Sequence, residues 1–328
     1  MSDGVAGEPV FRYTSADSFR IALLALTRNA AKVDPTRDAQ TRQRLFCFNR
    51  LLSRVFSHPE AANGTWALKG AASLMARLRE ARASKDVDIA TKESLDAAER
   101  VFREAAATST GDFLRFQIDE EADLSSATGK KFRVTVYCGA RQLSSFKMDL
   151  SISANFPDPE ELDIAPRIES IDIPGLCDIG CPAWPFPRVV ADKVAASLEM
   201  HNGTPSSRYR DLADLYLIQA QVSFDRRQLR EAVLAELARR NLERPSEFMV
   251  PDRESWERGW RNVGSEDAPT LKLVPFTEGL LKVKAFLDPV LSEDEEGHWD
   301  PDAGLWTLRV ERTFALSDRP RRLGRMRP

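Results

Sequence analysis

WALKGAASLMARLREARASKDVDIA, residues 66 to 90, sets an apolar strand, a Lys69-Gly70 turn, a helix and a second strand in immediate succession. The second strand carries Asp86 and Asp88 one residue apart. Side chains two apart on a strand share a face, so both carboxylates face one point in space. A helix opened by Gly70 would run for about three turns and aim its first unpaired N–H groups at a neighbouring point, where a phosphate fits. Magnesium is usually held by one or two carboxylates together with substrate phosphate oxygens, so the stretch suggests Mg²⁺ chemistry on a nucleotide. Taken alone, a D-x-D at a strand edge is more often a solvated turn. What favours the metal is the order of the parts around it.

Three further places bear on this site. Ser84, two residues before Asp86, lies on the same side of the chain if the strand has begun there, and its hydroxyl would then reach a phosphate. As a turn serine it would instead bond its own backbone. Residues 146–152, Phe-Lys-Met-Asp-Leu-Ser-Ile, alternate apolar and polar, which puts Asp149 on the wet face with Lys147 and Ser151. Downstream, VVADKVAASLEMHNGTPSSRYRDLADL, residues 189 to 215, starts a helix that is apolar almost all round, with Pro187 suited to its first turn. Lys193 sits within that apolar surface and either snorkels to water or meets an anion. Were it unpaired, methionine in its place would be tolerated or even favoured. Asp214 in isolation reads as a surface partner of Arg210 at i,i+4 spacing.

Leu68, Lys69 and Gly70, then Arg82, Ser84, Asp86 and Asp88, match the pattern L-K-G-G-T-A-L … R-x-S-x-D-x-D-L. Ala191, Lys193 and Ala196, then Arg208, Arg210, Asp211, Asp214 and Leu215, match A-x-K-x-x-A … R-x-R-D-x-x-D-L. On these residues the chain resembles the AbiEii/AbiGii-type toxins and the related MenT toxins, which belong to the DNA polymerase β superfamily of nucleotidyltransferases. Ala71 and Ala72 depart from the pattern, standing where Gly and Thr are common; the lost hydroxyl weakens one phosphate contact.

That resemblance implies an α+β fold, a nucleotidyltransferase-type mixed sheet with flanking helices plus a helical C-terminal lobe. Residues 1–185 would form the nucleotidyltransferase lobe with its N-terminal helices, and residues 186–328 the lobe that completes the cleft. It implies a catalytic set of Asp86, Asp88, Lys193 and Asp211, with Asp149 as the third carboxylate of the sheet. Asp86 and Asp88 would hold Mg²⁺ or Mn²⁺, while Lys69, Gly70, Arg82, Ser84, Lys193 and Arg208 would seat the nucleotide. The implied reaction is transfer of NMP from an NTP to an acceptor hydroxyl with release of pyrophosphate. A tRNA 3′ end or other RNA would be the acceptor, and a cognate antitoxin the partner, in a toxin–antitoxin or phage-defence pair. A protein or small-molecule acceptor is the nearest alternative. A non-catalytic nucleotide-binding module is another, against which the intact Asp86, Asp88, Lys193 and Asp211 speak.

At 328 residues, with 42% hydrophobic and 30% charged side chains, the composition is that of a globular chain of one large or two modest domains. No apolar run approaches a membrane span and the first residues lack a signal-peptide pattern, so a soluble cytoplasmic protein is expected. Cys47, Cys138, Cys177 and Cys181 are too scattered for a disulfide framework, and the Cys177/Cys181 spacing lacks the second pair a zinc site needs. Three histidines and no G-x-S-x-G leave nucleophilic hydrolase chemistry without support. A net charge of −3 excludes a surface wrapped throughout in nucleic acid, although the basic end, residues 319–328, would either follow an RNA backbone or be a solvated tail. Residues 293–296 read as an exposed acidic loop.

Along the chain, Phe19, Leu23 and Leu26 mark one helix, residues 38–55 a second, and Pro59, Asn63 and Gly64 a break. Residues 94–107 read as a helix, followed by three alternating strands around Phe116, Val134 and Asp149 in an antiparallel meander. A proline-rich connection from Phe156 to Pro187 leads to helices: one started by Asp225 and Gln228 in a capping-box pattern, one with Trp256 and Trp260 as core anchors, and one over 277–287 stopped by Pro289.

Overall fold

The computed structural model describes residues 11–78, 81–121, 128–169, 171–176, 178–201, 203–264, 273–292 and 296–308. Cys177, the acidic residues 293–295 and the basic end 319–328 lie outside them. Two helices open the chain, α1 (Ala16–Val33) and α2 (Ala39–Ser57). Each starts on a polar N-cap: Ser15 accepts from the Ser18 N–H at 3.2 Å and Asp38 from the Thr41 N–H at 2.7 Å. Phe19 and Leu23 are fully buried, as their spacing predicts.

β1 (Trp66–Lys69), α3 (Gly70–Arg77) and β2 (Asp86–Thr91) follow, then α4 (Leu95–Ala107), capped by Ser94. Next come β3 (Leu114–Glu120), β4 (Gly129–Cys138) and β5 (Arg141–Ile152). These strands, with β6 (Asp163–Ala165) and β7 (Cys181–Ala183), form a mixed sheet of seven strands among the described residues, in the order β3-β4-β5-β2-β1-β7-β6. β3, β4 and β5 make the expected antiparallel meander, because Phe116, Val134, Val136, Phe146 and Met148 put their apolar faces on one buried side. β5 then runs parallel to β2, so the Asp149 strand lies directly beside the Asp86/Asp88 strand.

Two local expectations change. α3 is eight residues long, shorter than three turns, because Leu78 leaves the helix in an extended conformation and is buried. The proline-rich stretch is more than a connection: β7 pairs parallel with β1 through Leu68 and Ala183, and β6 closes that edge of the sheet.

The rest of the chain is mainly helical. α5 (Phe186–Leu198) leads through the short pair β8 (Met200–His201) and β9 (Thr204–Pro205) to α6 (Tyr209–Gln219). After β10 (Phe224–Asp225) come α7 (Arg226–Arg239), α8 (Arg253–Asn262) and α9 (Phe276–Ser292), then β11 (His298–Asp300) and β12 (Leu305–Thr307), which join β10 in a three-stranded sheet that the sequence reading lacked. Asp225 caps α7 by accepting the Gln228 N–H at 3.0 Å, and Trp256 and Trp260 are buried.

α9 continues past Pro289 to Ser292 rather than stopping before it. A proline inside a helix removes an N–H donor and leaves a carbonyl of the preceding turn unbonded. Carbonyls on either side of that break are held by side chains from elsewhere in the chain. Arg226 donates to Pro289 O at 2.9 Å, Arg230 to Val290 O at 2.6 Å, Arg244 to Leu291 O at 2.7 Å, and the Trp306 indole to Phe286 O at 3.0 Å. One apolar core runs from Phe19 through the sheet to Trp299.

Candidate active site

Three strands place the carboxylates. β1 lies antiparallel to β2 with Lys69 opposite Asp88, and β5 parallel to β2 with Asp149 opposite Asp88 and Lys147 opposite Asp86. Residues at one register position share a face, so Asp88 has a lysine on one side and a carboxylate on the other. The Asp88 carboxyl is pushed up to about 6, chiefly by burial and then by the charges of Asp149 and Asp86; Lys69 and Lys193 oppose this. Asp86 moves in the same direction, mainly through burial and next through Asp149. Asp149 is partly exposed and pairs with Lys131 at 3.2 Å.

Gly70 opens α3 at φ +60°, and a Cβ built there would lie 1.9 Å from Asp88 Oδ2. Only glycine lets the Asp88 carboxylate lie against the helix N-terminus. Lys69 holds its ammonium 4.7 Å from the centroid of the Trp184 ring. Ser84 is buried, and its Oγ accepts the Asp86 N–H at 3.2 Å and donates to Asp86 O at 3.1 Å. The hydroxyl thus serves the local turn into β2, as the turn-serine alternative has it.

α5 and α6 build the opposite wall. Lys193 is 5% exposed and does not snorkel: its Nζ donates to Asp211 Oδ1 and Asp214 Oδ2, both at 2.7 Å. Asp214 is 1% exposed, so the surface pair read from its spacing gives way to a buried carboxylate that also accepts Arg82 Nε and Nη2 at 3.0 and 3.1 Å. Arg208 donates from Nε to Asp211 Oδ2 at 2.6 Å. The Lys193 ammonium is held above its usual range: burial works against the charge, but the Asp211 and Asp214 carboxylates outweigh it. Asp211 is correspondingly held low, since Lys193 and Arg208 outweigh its burial.

Both walls line one cleft of about 570 Å³. Lys69, Gly70, Arg82, Ser84, Asp86, Asp88, Asp149, Lys193, Arg208 and Asp211 all face it, so every site residue expected from the sequence is brought together. Trp184, Asp192 and Arg210 also line it and were not singled out as site residues. Trp184 carried a usable signal, a tryptophan set in a run of prolines just ahead of α5. Asp192 carried none, because its neighbour Arg240 comes from the C-terminal cap of α7, far away in sequence.

Residues 50–315 match the model of the nucleotidyltransferase AbiEii toxin family of type IV toxin–antitoxin systems. The chain belongs to this family. As an AbiEii-family protein it is a nucleotidyltransferase, which implies an NTP substrate, and a type IV system implies a cognate antitoxin. MenT4, a nucleotidyltransferase toxin from Mycobacterium tuberculosis, shares the fold at 14% identity and a TM-score of 0.56, over 83% of this chain and 90% of that one. JHP933 from Helicobacter pylori aligns at 16% identity and a TM-score of 0.44, over 74% of this chain and 88% of its own. A search of curated proteins finds no match.

Away from the cleft, His58, Glu60 and Glu104 bring ligand atoms within 4.8 Å of one another. Arg100 already pairs with both glutamates, at 2.7 and 3.0 Å, so one cation is shared between the two carboxylates. Among the described residues no helix is long and apolar enough to cross a membrane.

Proposed function

We propose that this AbiEii-family chain transfers NMP from an NTP to the hydroxyl of an RNA acceptor, with a tRNA 3′ end as the substrate of choice, and that it acts as a cytoplasmic toxin or phage-defence enzyme. The observation that carries this reading is the register that sets Asp88 between Lys69 and Asp149, against the Gly70 helix start and facing Lys193 across one cleft. The cleft lies between a nucleotidyltransferase lobe, residues 1–185, and a C-terminal lobe, residues 186–328.

Asp86 and Asp88 would hold Mg²⁺ or Mn²⁺. Their fit to such an ion rests on the donor set: carboxylate oxygens suit a hard cation, and the burial that chiefly raises Asp88 to about 6, together with the repulsion from Asp149 and Asp86, is what a bound cation would offset. When bound, the ion supplies charge neutralisation on the reacting phosphate. Backbone N–H groups from Gly70 onward, Lys69, Lys193 and Arg208 would seat the triphosphate, with Ser84 shaping the turn beside it and Arg82 on the same wall. The acceptor oxygen forms its bond to the α-phosphorus in line as the bond to the β-phosphate oxygen breaks and pyrophosphate leaves. Asp149, at the open side of the carboxylates, would take the acceptor hydroxyl's proton on a carboxylate oxygen.

The test is incubation of purified protein with each α-labelled NTP, total RNA and Mg²⁺. Label in the RNA fraction with wild type, and none with Asp86→Ala, is expected. Label confined to protein would replace the RNA acceptor by a protein one, and no transfer at all despite NTP binding would overturn nucleotidyl transfer.

A further inference from the structure

Arg82, Asp214, Lys193, Asp211 and Arg208 form a continuous chain of alternating charge along the back of the cleft. The planar Arg82 fork meets both oxygens of Asp214, a geometry only a guanidinium provides. Asp214 Oδ2 also accepts Lys193, so a single buried carboxylate serves a cation from each side. Asp214 does not face the cleft, whereas Lys193 and Arg82 do. An ammonium has three N–H groups; Lys193 spends two on Asp211 and Asp214, which leaves one for a ligand.

Were Arg82 to turn onto a triphosphate, it would abandon a buried carboxylate to Lys193 alone. Removing one member of a buried, hydrogen-bonded ion pair is strongly unfavourable, so the fork is better kept through turnover. Asp214 would also lose its competing cation and draw the Lys193 ammonium deeper, away from the cleft.

We propose that Arg82 is a positioning residue rather than a phosphate ligand: it acts through Asp214 to hold Lys193 aimed at the nucleotide, and it clasps the segment leading into β2 onto α6. The proposal rests on the nucleotidyl-transfer reading for Lys193's role, but the clasp itself is independent of it.

A thermodynamic cycle tests it. NTP binding is titrated by calorimetry in Mg²⁺ buffer for wild type, Arg82→Gln, Asp214→Asn and the double variant, with melting temperatures recorded for each. Each single change is expected to weaken binding about tenfold, roughly 1.4 kcal/mol, and the double to weaken it no more than about twofold further. Arg82→Lys keeps the charge without the fork, so it should not rescue binding. An equal loss from Arg82→Gln in the Asp214→Asn background, or full affinity in Arg82→Lys, would overturn the proposal by showing direct phosphate contact. If Arg82→Gln fails to fold, the Arg82→Lys titration alone decides between these outcomes. Should wild type bind no NTP, the nucleotidyl-transfer reading fails. The clasp would still be read from melting temperatures: non-additive singles support it, additive ones overturn it.

Discussion

At the scale of single residues, Gly70 and Asp88 depend on each other. The positive φ of Gly70 and the absence of a Cβ are what admit the Asp88 carboxylate to the helix start. Gly70→Ala should destabilise the protein by about 1 to 3 kcal/mol, the usual cost of a strained backbone position plus a forced shift, and should abolish nucleotidyl transfer. Urea denaturation and the labelled-NTP assay check the two parts separately. Asp88 carries a pH signature. Its folded pKa of about 6 lies above the ordinary 3.8, so the neutral form is favoured on folding. That contribution is fully present below about 3.8 and is lost as pH rises through about 6, with a ceiling of about 3 kcal/mol. Asp34, Asp112 and Asp211 are shifted down and act in the opposite sense, losing stability as pH falls. The quantity to measure is therefore the difference between wild type and Asp88→Asn. In metal-free buffer the asparagine variant should gain on wild type from pH 4 to 7, and a constant difference would show that Asp88 is not strained.

At the scale of elements, α5 and α6 illustrate how packing reverses a reading made on one helix. The apolar surround of Lys193 is real, with Val189, Val190, Val194 and Ala195 all buried, and on that surface alone a methionine would be welcome. α6 supplies two carboxylates to the lysine, however, and α6 is not visible from within α5. Lys193→Met would leave Asp211 and Asp214 short of their shared cation in a buried place, so a loss of about 3 to 5 kcal/mol is expected. Chemical denaturation showing stability equal to wild type would mean that the two carboxylates are neutralised otherwise. A similar logic governs α9: Pro289 has the local signature of a helix end, yet arginines from α7 and the loop after it take the carbonyls of the final turn.

At the scale of the molecule, the sheet half and the helical half share one continuous apolar core, and the Arg82–Asp214 fork joins them at the cleft. Unfolding should therefore be a single cooperative transition by both far-ultraviolet circular dichroism and tryptophan fluorescence, since the six tryptophans lie in both halves. Two separated transitions would show that the lobes fold independently. For a toxin, the readout of the whole molecule is growth. Expression without the antitoxin should slow or stop bacterial growth, and Asp86→Ala at matched soluble level should relieve it; equal toxicity of both would remove the catalytic explanation.

The stretch from Trp66 to Asp88 was legible without coordinates because its information is local: strand alternation pairs Asp86 with Asp88, and a glycine before a helix marks an anion-binding start. The amphipathic strand around Asp149 and the apolar surround of Lys193 were legible for the same reason, since periodicity shows which face is apolar, but it leaves open whether Lys193 snorkels or meets an anion. Which strand lies next to which periodicity does not show; only the family resemblance implies that a later strand such as that of Asp149 lies beside the Asp86/Asp88 strand. Asp149 comes to Asp88 through a parallel pairing whose partners are separated by α4, β3 and β4, and β6 and β7 join the sheet from a proline-rich stretch with little strand pattern of its own. Charge partners lay further still from sequence reach: Arg82 and Asp214 are 132 residues apart, and neither shows its mate by spacing. Buried charges must be paired, but the chain can satisfy that demand with any cation or carboxylate that folding brings near, and only the tertiary structure decides which.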